Sequence, residues 1–204
     1  MIRHLSFVSE EVDLKTVTLL GFLVFISVGA ASLQVSSPDA SSDWPQYTSG
    51  DELIRPESYR EWIFLSSRLR VNPKASGGEV ETFSDAFVSR PAYHHFLTTG
   101  SWPDKTVLVL EKRASSSKSS AEQVDHYEGD VLEISVEVKD TARFADKWAY
   151  FSFDSSAKTA KANPRAMCWE CHHGGGAVEN TYVQLYPTLK PVAQKFGTYR
   201  QAPY

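Results

Sequence analysis

The chain predicts an α+β domain, a mainly antiparallel β-sheet with a few short helices, and three observations carry that expectation. Val131 to Val138 (VLEISVEV) alternates apolar and polar residues, the period of a half-buried strand whose glutamates face water. Thr106 to Lys112 (TVLVLEK) concentrates residues that suit a pleated, buried surface. The helical stretches are short and closed by proline or glycine, so the long helical periodicity of a four-helix bundle is absent.

With 204 residues, 42% hydrophobic and 23% charged, the chain suits one globular domain plus a leader. With a net charge of -4 and a pI near 5.9, nothing in the charge balance suggests nucleic acid or an anionic membrane surface as a partner. The apolar run Val17 to Val28 follows Arg3 and Lys15 and ends in Gly29, Ala30, Ala31 and Ser32. Residues 1–32 therefore read as a signal peptide, or as an uncleaved N-terminal anchor, given Glu10, Glu11 and Asp13 ahead of the run. Both readings export the folded part to the periplasm or beyond, in the second case tethered to the inner membrane. Residues 33–52, rich in Ser, Asp and Pro, read as a flexible linker, and 53–204 as the domain.

In chain order, Pro56 to Trp62 predicts a short helical entry. Trp62–Leu65 running into Arg68–Val71 predicts a strand. A turn with Asn72, Pro73, Gly77 and Gly78 leads to a second strand ending in Ala86–Val88. Pro91, with Tyr93, Phe96 and Leu97 at helical spacing, starts a short helix closed by Gly100. TVLVLEK, a Ser/Lys loop over 115–121 and VLEISVEV follow. Lys147 to Asp154 is a further strand, aromatic enough to face a cofactor. Pro164 opens the next helix, and Pro187 and Pro191 shorten any helix between Tyr182 and Phe196.

That helix after Pro164 holds both cysteines of the chain, in Cys168-Trp169-Glu170-Cys171-His172. A C-x-x-C-H run is what covalent attachment of haem c requires: each thiol adds to one vinyl group, and the histidine reaches the iron. A thioredoxin-like site would not call for the histidine. A structural zinc site needs four ligands, and His172 and His173 stand too close to the cysteines to complete one. A disulfide across two residues closes a small ring and adds little loop entropy. The expectation is one haem c per chain, attached near the C-terminal end, with Cys168 and Cys171 as anchors and His172 as the axial ligand of the iron. A small all-helical electron carrier would place the motif near the domain start instead.

The opposite axial position has few applicants. The methionines are Met1, in the leader, and Met167, against Cys168. His94 and His95 on a short helix, His126 in a loop and His173 beside the proximal ligand each have an ordinary packing or surface role as the simpler reading. An open, five-coordinate iron is therefore expected, suited to diatomic gases or to small nitrogen or oxygen substrates.

Several segments together resemble the cytochrome P-460 family, which includes the beta-type cytochromes c-prime. They are Tyr59-Arg60-Glu61-Trp62, Tyr93-His94-His95-Phe96, Trp102-Pro103-Asp104 followed by Thr106–Glu111, Val138-Lys139-Asp140 with Arg143-Phe144, Trp148–Phe151, and Cys168–His172 with Tyr186-Pro187 and Leu189. The resemblance spans Pro56 to Leu189. It implies an exported, usually dimeric antiparallel β protein with a five-coordinate haem c. In hydroxylamine-oxidising members a strand lysine is joined to the haem edge, and the residue at that place here is Leu110. Lys112 shares its strand face about 6.6 Å further along, and Lys105 falls on the other face. An arginine common in the preceding strand is replaced near Ser84.

An apolar Leu110 over the distal side excludes water and offers no hydrogen bond, which disfavours polar O2 adducts more than NO. The resemblance then points to NO or a related small nitrogen ligand, in the manner of the beta-type cytochromes c-prime, with a redox partner cytochrome. Hydroxylamine oxidation to NO or N2O, the enzyme reading, and a bis-histidine electron-transfer cytochrome are the alternatives. Glu179, seven residues after His172, stands where the family is often acidic and is a candidate to act from behind the ligand.

Overall fold

The computed structural model describes residues 43–72, 80–117 and 125–201. The expected leader 1–32, the first part of the expected linker, most of the turn after Asn72 and part of the Ser/Lys loop lie outside these. Among the described residues no helix is long and apolar enough to cross a membrane.

Seven strands and three helices follow one another: β1 (Leu53–Ile54), β2 (Ile63–Asn72), β3 (Val80–Val88), α1 (Arg90–Thr99), β4 (Val107–Ser116), β5 (Tyr127–Lys139), β6 (Trp148–Asp154), β7 (Thr159–Ala160), α2 (Arg165–Gly175) and α3 (Lys190–Phe196). A single 3-10 turn, Tyr59–Glu61, forms the helical entry ahead of β2. β2 to β6 form one antiparallel sheet in sequence order, and β1 pairs with β7 in a separate two-stranded piece. The α+β expectation holds, with β4 and β5 longer than their apolar cores because pairing, once started, carries polar residues along. Gly100 ends α1 at φ 70°, a left-handed cap that a Cβ would disfavour, and α3, with Pro191 in its first turn, is closed after two turns by Gly197 at φ 72°.

Strand alternation sends the two halves of each strand into different cores. Val107, Val109, Ile134, Val136, Val138, Phe151 and Phe153 pack on one side under the 3-10 turn and β1. Leu108, Ala86, Val88, Trp148 and Tyr150 face the other way, against α1, α3 and the segment after α2. The aromatic strand β6 is thus divided, with only Trp148 and Tyr150 on the side of α2. The segment expected to be a linker is packed from Asp43 onward: Asp43 is buried and bound twice by Arg90, at 2.8 and 2.9 Å. Tyr47 lies under the Arg143 guanidinium, 4.0 Å from the ring centre, and bridges to Leu53.

In β2 the alternation reverses once. A bulge at Phe64–Ser66 shifts the register against β3, so that Ser66, Arg68 and Arg70 stand opposite Ala86, Ser84 and Thr82. Leu69 and Val71, which share parity with Ile63 and Leu65, are turned outward instead and stay 47% and 45% exposed.

Candidate haem site

Helix spacing places Cys168, Cys171 and His172 on one side of α2, at i, i+3 and i+4. That side borders a cleft of about 480 Å³ whose far wall is the sheet. Both thiols are free, Cys171 exposed and Cys168 half-buried, and the amide of Asn163 lies 3.5 Å from Cys168 Sγ.

His172 is held from behind. Its Nδ1 lies 3.0 Å from the Asn180 carbonyl, which can only accept, so Nδ1 carries the proton and Nε2 keeps its lone pair. Tyr150 and Tyr182 flank the ring, with centroids 4.3 and 4.8 Å away. Gly176 brings the return segment close: a Cβ there would fall 2.7 Å from the His172 carbonyl and 2.8 Å from the Thr181 nitrogen. Arg200 then binds the carbonyls of His173 and Gly176 at 2.7 and 2.6 Å, satisfying the end of α2.

Glu179 is not on the cleft wall. Its carboxylate accepts from Lys139 Nζ at 2.9 and 3.0 Å, Trp148 Nε1 at 3.2 Å and Trp102 N at 3.3 Å. Those bonds pin the loop whose next residue, Asn180, supplies the carbonyl to His172. Leu110 does lie on the cleft wall, half-buried, opposite the α2 cysteines. Lys112 turns away to Glu133, at 2.9 Å, and takes no part in the wall. Lys105 is bonded to Asp140 in the turn before β4.

Glu137 corrects the expectation that the β5 glutamates face water. It lies on the cleft wall, 3.6 Å from His172 Nδ1, with its Oε2 buried and unpartnered, and burial pushes its carboxyl above the ordinary range. Arg68, Arg70 and Tyr186 are further wall residues that motif reading missed. Burial likewise raises the Tyr186 phenol, which keeps its hydroxyl proton. Only the pairing of Glu137 with Leu108 and Tyr150 across β4 and β6 puts that carboxylate beside His172, and single-strand alternation cannot reveal it.

The remaining described histidines stay apart from the cleft. His94 and His95 are exposed on α1, His126 pairs with Glu81 at 2.6 Å, and His173 stacks on Trp169 with ring centroids 4.2 Å apart. Met167 reaches the cleft rim from α2 itself. One short helix does not supply ligands to both faces of one iron.

Two free thiols, an imidazole whose Nε2 keeps its lone pair, a buried carboxyl with one unpartnered oxygen and two arginines, all on one cleft over an antiparallel sheet, fit a haem-binding protein. The family model for Cytochrome P460 matches residues 56–183, and the chain belongs to that family. Membership implies a haem cofactor. No curated protein matches the chain.

Proposed function

We propose that this is an exported mono-haem c-type cytochrome that binds NO or a related small nitrogen species at an open iron site. Cys168 and Cys171 are its thioether anchors and His172 its axial ligand. The haem iron, when bound, supplies the ligand-binding centre. The observation that carries the reading is the make-up of the cleft wall. Beside His172 it presents Leu110 and, among the described residues, no second histidine and no lysine.

The chain's own residues then divide the work. The Asn180 carbonyl holds the His172 tautomer that can ligate. Leu110 excludes water and offers no hydrogen bond, which favours a ligand that binds without one. Tyr186 keeps a neutral hydroxyl at the wall. Hydroxylamine oxidation through a lysine link is disfavoured by the engagement of Lys112 with Glu133. Bis-histidine ligation is disfavoured by the exposure of His94 and His95 on α1.

Export rests on the 1–32 pattern, and a redox partner cytochrome belongs to the same reading. A homodimer is supported by Phe64, Leu69 and Val71, an exposed apolar strip on the edge strand β2. Absorption spectra with CO and NO titration test the central claim. Ferrous haem-loaded protein is expected to be high-spin and to bind both gases. A low-spin spectrum indifferent to both gases removes the open site, and a strongly red-shifted ferrous Soret band with a lysine adduct restores the enzyme reading.

A further inference from the structure

The geometry points to Arg68 and Arg70 as the cationic anchors of the two haem propionates. This rests on the haem-attachment reading and adds to it the residues that hold the cofactor's far edge.

Both arginines line the cleft, and among the described residues neither is held by a hydrogen bond or a salt bridge at contact distance, Arg68 acting on Glu137 only through its charge. The other described arginines are engaged. Arg60 and Arg113 hold Glu111, Arg90 holds Asp43, and Arg143 holds Asp51. Arg55 binds Glu57, Arg165 binds Asp146 and Arg200 binds carbonyls. Two guanidinium groups free of salt bridges on one cleft suit two carboxylates, since bidentate carboxylate binding is what the planar fork does best.

The bulge at Phe64–Ser66 puts them there. Without it the parity of Ile63 and Leu65 would carry Leu69 and Val71 inward and the arginines to solvent. With it two aliphatic side chains are left exposed so that two charges face the cleft. Hydrophobic burial alone would choose the opposite register, so a bound anion is the natural compensation.

Position agrees as well. His172 sits over β5 and β6, beside Glu137 and Tyr150, while the arginines stand on β2, three strand spacings from β5, roughly 14 Å away. Haem vinyls and propionates lie on opposite edges of the macrocycle. A ring tethered by Cys168 and Cys171 beside β6 would present its propionates towards β2, where Arg68 and Arg70 would hold them. The spacing of Arg68 and Arg70 along one strand face, roughly 6.6 Å, offers each propionate its own partner.

The test uses the full chain carrying covalent haem, as wild type, Arg68→Gln, Arg70→Gln, the double glutamine variant and the double lysine variant. Mass spectrometry should find the haem adduct in all of them, because the thioethers form at the cysteines. The glutamine variants should shift the ferric/ferrous midpoint to lower potential, most in the double, and displace the propionate bending bands in resonance Raman. The lysine pair should keep the midpoint near wild type, since it keeps both charges, while the bands still move with loss of the fork. It reads out the same site if the glutamine variants do not fold.

A haem-loaded double glutamine variant with wild-type midpoint and wild-type bands overturns the assignment alone. A wild type without the haem adduct brings down the attachment reading and this assignment with it. Nitrite added to each form separates a free anion from the haem carboxylates. If nitrite perturbs the wild type, leaves the double variant silent, and the propionate bands never move, the arginines serve a free anion and the proposal is overturned.

Discussion

The two faces of the five-stranded sheet are made from alternate residues of the same strands, yet they hold their cations differently: those of the closed face are tied to Glu111, and those of the open face line a cleft. On the closed face Val107, Val109, Ile134, Val136, Val138, Phe151 and Phe153 are at most 4% exposed, and of the two buried carboxylates paired across β3 and β4 beside them, Asp85 keeps Oδ1 without a partner while Glu111 is fully engaged. Glu111, 2% exposed, takes hydrogen bonds from Tyr59, Arg60 and Arg113. On the open face Glu137 keeps a buried oxygen without a partner, and among the described residues no salt bridge at contact distance holds Arg68 or Arg70. A buried charge with its partners in place belongs to the fold, whereas charges left waiting on a cleft belong to what the cleft binds.

The largest effects are expected on the closed face. Glu111→Ala strips Arg113 and the Tyr59 hydroxyl of their acceptor and should cost about 3–5 kcal/mol of unfolding free energy in urea. Phe153→Ala, a cavity at the centre of that core, should cost a similar ~3–5 kcal/mol. A loss under about 1 kcal/mol in either would show that the closed face is not where stability resides.

Leu110→Ala on the open face should destabilise less, by about 1–2 kcal/mol, because the side chain is half-buried and borders a cleft that already exists. Its functional effect should be the larger: faster CO association with the ferrous haem protein and entry of water to the ferric iron. Unchanged CO kinetics together with a core-sized stability loss would move Leu110 to the closed side of the comparison.

A smaller effect on the open face is read through pH at Glu137. Burial raises the Glu137 carboxyl from its ordinary 4.5, so the folded apoprotein keeps that proton to higher pH than the unfolded chain. The stability associated with the group is fully present below pH 4.5 and is lost as pH rises through the folded value. Glu137→Gln cannot lose the proton, so its stability relative to wild type should grow with pH across that window. Parallel stability curves for the two apoproteins would mean that Glu137 is solvated.

Smallest of all should be Lys112→Met. The pair with Glu133 is a third exposed on each side, and losing it should cost no more than about 1 kcal/mol. The absorption spectrum and the haem adduct mass should be unchanged, and a changed spectrum would bring Lys112 into the site.

Local signals made much of this protein legible from sequence. Alternation in VLEISVEV and the aliphatic run TVLVLEK identified β5 and β4, because the period of a strand is written in consecutive residues. The C-x-x-C-H run identified the candidate anchors and ligand, because helix geometry brings i, i+3 and i+4 together without help from the rest of the chain. Leu110 was found through a family pattern, and it does line the cleft.

What only the tertiary structure decided is which charges face one another. Glu137 looked like the solvent side of an amphipathic strand, and α2 and the loop at Asn180 closed over it. Strict alternation from Ile63 and Leu65 would put Arg68 and Arg70 on the opposite face of β2, and one inserted residue at Phe64–Ser66 reversed it. A strand's period states that two faces exist. Which face is inside depends on register and on what covers the sheet, and these arise from pairing and packing between segments far apart in the chain.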